Sequence, residues 1–152
     1  MKLPVGLLLF FLIVSCESEF YDYYQESDLW RLPLIAPYEL KNIAGAAEYQ
    51  SNNDNWHLSF KYPDQVDNSH GVNVTMVNVN RGVIYGYGTA NPCDHFIIIP
   101  KENKEMIFKK VDDWSNMLKN MGIDSDSTYN AFDLFFDFKD NNVLRWRNEI
   151  IK

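Results

Sequence analysis

The sequence predicts an α+β fold: an antiparallel sheet of about 4–6 strands with two C-terminal helices packed on one face. Three observations lead there. Between residues 56 and 89, apolar side chains recur at every second position over several stretches, the period of a half-buried strand. Residues 94–100 (DHFIIIP) are an almost continuous apolar run closed by proline, which suits a strand in the middle of a sheet. From Val111 onward the apolar spacing changes from two to between three and four, and stays there.

Taken in order, residues 28–37 (DLWRLPLIAP) read as extended, an edge strand or packed arm. Pro33 and Pro37 cannot donate to a ladder and disfavour helix in the residues before them. Residues 38–49 are a strand or a loose turn around Gly45, and residues 50–55 (QSNNDN) a polar turn. In residues 56–62, Trp56, Leu58, Phe60 and Tyr62 share one face, while His57, Ser59 and Lys61 share the other. After a polar loop at 64–71, Val72, Val74 and Met76 alternate with Asn73 and Thr75. The phase then breaks at Met76 and Val77, so this strand is either covered on both faces or re-aimed by a bulge. Asn80, Arg81 and Gly82 supply a hairpin turn, and residues 83–89 (VIYGYGT) return. Gly86 and Gly88 share a face and leave a trough, which a neighbouring aromatic such as Trp56 could fill or which could take a peptide or ligand. Residues 105–109 make a shorter strand after the charged turn at 101–104.

The first helix carries Val111, Trp114, Leu118 and Met121 on its apolar stripe. Asp112 and Asp113 suit its start, and Gly122 followed by Ile123 its stop. A second helix is expected from about residue 127 to 139, with Tyr129, Phe132, Phe135 and Phe136 as its stripe and Asp124 to Asp126 capping a helix. Residues 143–152 form a short terminal element anchored by Trp146.

The amino terminus belongs to no part of this domain. Residues 3–14 are almost wholly apolar, preceded by Lys2 and followed by Ser15 and Cys16. The run falls short of the roughly 20 residues a transmembrane helix needs, and reads as a secretory signal. Ile13, Val14, Ser15 and Cys16 resemble the lipobox of bacterial lipoproteins. The resemblance implies that residues 1–15 are removed, that Cys16 becomes the acylated first residue, and that residues 16–27 tether a single domain, 28–152, to a membrane. Several acyl chains hold such a domain where a single one would release it. An ordinary signal peptide cleaved nearby, leaving Cys16 as a thiol, is the plainer alternative. Glu17, Glu19 and Asp22 resemble the acidic export signal behind the lipidated cysteine in lipoproteins of Bacteroidota, which implies an outer-membrane address; a merely acidic linker would look the same.

Removing residues 1–15 leaves 137 of 152 residues and moves the net charge from −7 to −8, because Lys2 is lost. So acidic a body has no general attraction for nucleic acid, and no basic patch offsets it. With Cys16 acylated, Cys93 is the sole remaining thiol, so an internal disulfide is ruled out and packing must hold the fold. Four Trp, nine Tyr and ten Phe are a heavy supply of large side chains for that purpose.

Catalytic chemistry has one candidate, Cys93 with Asp94 and His95, since a thiolate needs a base and an orienting carboxylate. Neighbours on a strand point to opposite faces, so Asp94 cannot readily orient His95, and His57 or His70 would have to complete a cysteine hydrolase. A half-buried turn cysteine accounts for the same residues. No metal-ligand spacing links the histidines with Cys93, and no cofactor motif occurs. Residues 124–130 begin like a calcium loop, but Tyr129 stands where glycine is required and Phe135 where a bidentate glutamate is required.

The expectation is therefore a lipid-anchored, non-enzymatic module that binds a protein partner. One form is an immunity lipoprotein neutralising an antibacterial toxin; the alternative is an accessory or structural lipoprotein of an envelope complex. Trp30, Tyr38 and Trp146 are the candidate docking aromatics, with Gly86 and Gly88 as the candidate trough.

Overall fold

The structure, a computed structural model, describes residues 30–42, 56–61, 71–88, 94–141 and 144–146. The expected α+β class is what it shows, but the strands divide between two antiparallel sheets instead of forming one. The first sheet runs β1 (Trp30–Pro33), β2 (Glu39–Asn42), β3 (Trp56–Leu58) and β4 (Val72–Val74), side by side in that order. The second contains β5 (Met76–Asn80), β6 (Val83–Tyr87), β7 (His95–Ile99), β8 (Lys104–Phe108) and the two-residue β9 (Tyr129–Asn130), in the order β8-β7-β6-β5-β9.

The register of the first sheet explains its burial. Trp30, Asn42, Trp56 and Val74 form one cross-strand row, and Leu32, Leu40, Leu58 and Val72 the next inward row; all eight are buried. The row between them, Arg31, Lys41, His57 and Asn73, points outward. Arg31 and Lys41 would repel across the strands. Glu39 lies 2.5 Å from Arg31 and 3.1 Å from Lys41 and offsets them both.

Between β4 and β5 the chain leaves one sheet for the other. Thr75 marks the corner: its amide donates to the Tyr87 carbonyl at 3.0 Å, and its carbonyl accepts from the Ala131 amide at 2.9 Å. A strand that switches sheets bends there, which is the physical cause of the broken alternation at Met76 and Val77. The second sheet is also apolar on both faces. Val77, Val79, Ile84, Phe96 and Ile98 share a core with the first sheet, while Val83, Tyr85 and Ile97 pack with Trp114, Leu118 and Ile123 on the other side. The β5–β6 hairpin closes as expected, with Asn80 opposite Val83 and both turn residues at positive φ, Arg81 at 54° and Gly82 at 75°.

The helices consequently serve different clusters. Helix α1 (Val111–Asn120) covers the outer face of the second sheet, and Trp114 Nε1 donates to the Phe96 carbonyl at 3.1 Å. Its end follows the expected glycine stop: Gly122 has φ of 70°, its amide donates to Lys119, and the Ile123 amide donates back to the Leu118 carbonyl at 3.0 Å. Val111, assigned to the stripe by spacing, is exposed.

Helix α2 (Ala131–Asn141) joins the shared core through Ala131, Leu134, Phe135 and Phe138. It starts later than its spacing suggests, because Asn130 caps it: its Oδ1 accepts from the Phe132 amide at 2.9 Å. Tyr129 therefore lies on β9, not on the apolar stripe, and sits beneath the Arg145 guanidinium at 4.4 Å from its ring. Asp124 caps no helix; it closes a turn, with its Oδ1 accepting from the Asp126 amide at 3.0 Å.

Candidate functional site

An open cleft of about 450 Å³ lies where the end of the second sheet, the first turn of α1 and the 124–128 turn meet. Each wall has a local reason for its place. Tyr87 and His95 are cross-strand partners on β6 and β7, with ring centroids 5.4 Å apart. Trp114, one turn into α1, stands edge-on to Tyr87 at 5.9 Å and lies 5.0 Å from the His95 ring. His95 is thus held between two aromatic rings and largely buried. Opposite them, Ser115 on α1 and Ser125 on the turn are joined hydroxyl to hydroxyl at 3.0 Å, which ties the helix to the turn across the cleft floor. Asp112 and Asp126 stand exposed at the mouth, with Met76, Val111 and Thr128 completing the lining.

The 124–128 turn is fixed by a polar cluster below it. Asn78 and Tyr85 face each other on β5 and β6; the Asn78 amide nitrogen donates to the Tyr85 hydroxyl at 3.0 Å and also to the Ser127 carbonyl. The Tyr85 hydroxyl lies 2.7 Å from Ser127 Oγ. Buried polar groups that satisfy one another in this way hold a single geometry. The cleft is therefore preformed on at least that side.

The residues expected to dock a partner lie elsewhere and mostly inside. Trp30 is buried against Phe135, Tyr38 donates from its hydroxyl to Glu105 at 2.8 Å, and Trp146 Nε1 donates to the Pro33 carbonyl at 3.2 Å. With at most 5% of each exposed, these three aromatics are core and offer no docking surface. The trough at Gly86 is occupied: a Cβ there would lie 2.1 Å from the Met76 carbonyl oxygen and 3.0 Å from Phe96 Cζ, so the filling ring is Phe96 and not Trp56. At Gly88 a Cβ would lie 2.3 Å from the Asn73 carbonyl oxygen, where the two sheets come together. Replacing Gly86 by alanine should cost about 3 kcal/mol, because backbone must move to admit the methyl group. Urea denaturation reads this directly, and a loss below about 0.5 kcal/mol would show that the strands part easily there.

Cys16, His70 and Cys93 lie outside the described residues. Of the suggested catalytic group, the Asp94 carboxylate is bonded to the Lys109 ammonium, and His95 faces Tyr87 and Trp114. His57 is on the outward face of the first sheet, with Nδ1 3.5 Å from Asn73 Oδ1. Among the described residues no three His, Cys, Asp or Glu side chains converge as a metal site, and no helix is long and apolar enough to cross a membrane.

The spacing of the sequence points to Trp114 and Asp112 only as helix residues, and nothing local marks Ser115, Ser125 or Asp126 as neighbours. Val111 gives no hint either, since its spacing places it on the apolar stripe and only the structure shows it exposed. Comparison with family models, with curated proteins and with solved structures finds no match to this chain.

Proposed function

We propose that the protein is a lipid-anchored envelope module that binds another protein, held at the outer membrane through Cys16, with neutralisation of an antibacterial toxin as its specific form. The observation that carries the binding reading is the cleft itself. Its volume lies within the range of about 300–1,000 Å³ usual for small-ligand pockets, room enough for one long side chain of a partner. Ser115 and Ser125 are bonded to each other and Asp94 to Lys109, and these pairs brace the walls around the cleft. The lipobox supports the anchor, and a net charge of −7 suits a basic partner.

The test is capture from the cell. Full-length protein purified with its membrane in mild detergent should bring down one secreted or toxin-like protein, identified by mass spectrometry. Cys16→Ala should leave the chain uncleaved or unanchored and shift it out of the lipoprotein fraction. Capture of a stable set of membrane proteins would replace the toxin reading by an accessory role in an envelope complex. A Cys16→Ala chain that still labels with palmitate would remove the anchor.

A further inference from the structure

We propose that the cleft receives a basic side chain, an arginine guanidinium or lysine ammonium, presented by the partner; this rests on the protein-binding reading above. The lining decides the ligand class. It contains two carboxylates, Asp112 and Asp126, four hydroxyls, those of Ser115, Ser125, Thr128 and Tyr87, and the rings of Tyr87, Trp114 and His95, with no lysine or arginine. An anionic ligand would meet both carboxylates at the mouth. A wholly apolar one would leave the hydroxyls of Ser115, Ser125 and Thr128 without new contacts while desolvating them. A long basic side chain fits both halves: its methylene stem lies against Met76, Val111 and Tyr87, and its charged head reaches the carboxylates and hydroxyls. The net charge of −7 adds a field of the same sign, which speeds encounter with a basic surface and weakens as salt is added.

The floor is suited to such a guest because it is fixed beforehand. Ser115 and Ser125 are bonded across it at 3.0 Å, and Tyr85 with Asn78 holds the turn through Ser127. Little ordering is left to be done on binding, so a modest set of contacts gives measurable affinity. Asp113 occupies the same helical turn as Asp112 but is not part of the lining, which supplies an internal control of equal charge.

The experiment uses the full-length protein in detergent micelles and two probes, arginine amide and its uncharged isostere citrulline amide, followed by ligand-observed NMR. Arginine amide should bind with a Kd of about 1 mM and citrulline amide at least about tenfold more weakly. The double variant Asp112→Asn/Asp126→Asn should weaken arginine amide about tenfold, and Asp113→Asn less than about twofold. Both sites are exposed, so these variants fold, and their circular dichroism should match the parent. Equal binding of the two probes, or an unchanged Kd in the double variant, overturns the assignment. Capture from the cell separates the two claims. A partner retained by the parent and lost by the double variant supports both. A partner retained equally by both chains overturns the cleft assignment and leaves the binding function standing. Arginine amide bound through Asp112 and Asp126, with no protein captured, overturns the partner and makes the guest a free organic cation.

Discussion

Phe135→Ala should remove about 4 kcal/mol of stability, enough to leave about one molecule in six unfolded if the total lies at the low end of the usual range of about 5–15 kcal/mol. The ring of Phe135 is fully buried and sits where three elements meet. It stacks on Trp30 from β1 at 4.9 Å with planes 14° apart, meets Trp56 from β3 at 5.2 Å, and touches Phe136 edge-on at 5.4 Å. Truncation therefore costs the transfer of a large apolar group, the cavity left behind and the aromatic pairs, each pair worth about 0.5–1.5 kcal/mol. Relaxation into the hole is resisted from both sides, since Trp30 and Trp56 are fixed in one cross-strand row through Asn42. Phe135→Leu keeps most of the volume and should cost about 1.5 kcal/mol. Phe132→Ala, at a half-buried position on the same helix, should fall between the two. In urea the midpoint should drop most for Phe135→Ala, less for Phe132→Ala and least for Phe135→Leu, with an unchanged slope. A loss under about 1 kcal/mol for Phe135→Ala would mean that α2 does not hold the first sheet in place.

What the sequence made legible follows from how locally each feature is determined. The β5–β6 hairpin rests on the turn residues Asn80, Arg81 and Gly82, and the end of α1 rests on Gly122 and Ile123; both are settled within a few residues and both were read correctly. The division into two sheets depends on Thr75, whose partners Tyr87 and Ala131 are distant in the chain, so only the broken alternation beside it gave a trace. Trp30, Tyr38 and Trp146 show the converse. Each has a polar end that suits a surface, and each is buried because it has a distant partner: Trp146 bonds to Pro33 across 113 positions and Tyr38 to Glu105 across 67. Periodicity carries no information about such pairings. The cleft is hidden for the same reason, being assembled from β5 to β7, the start of α1 and the 124–128 turn.

The bond between Tyr38 and Glu105 also carries the second large effect. Glu105 lies on β8, at the edge of the second sheet, yet is only 2% exposed. Its Oε1 accepts from the Tyr38 hydroxyl at 2.8 Å and from the Lys61 amide at 2.6 Å, so one carboxylate ties the β1–β2 turn and the end of β3 to the opposite sheet. Glu105→Ala deprives two donors of this acceptor at once, the buried Tyr38 hydroxyl and the part-buried Lys61 amide, and a buried donor that loses its acceptor costs about 1–3 kcal/mol. The expected loss is about 3 kcal/mol, against about 1 kcal/mol for Glu105→Gln, which keeps an acceptor oxygen in place. Apolar burial does not account for a loss of that size, since Glu105→Ala removes little apolar surface. Tyr38→Phe separates the two explanations. If the hydroxyl is what Glu105 serves, then adding Tyr38→Phe to Glu105→Ala should restore part of the loss, with a coupling of about 1–2 kcal/mol between the sites. Strictly additive losses would instead assign the role of Glu105 to the Lys61 amide, and the Glu105 carboxylate would then anchor the second sheet to the first through that one main-chain donor.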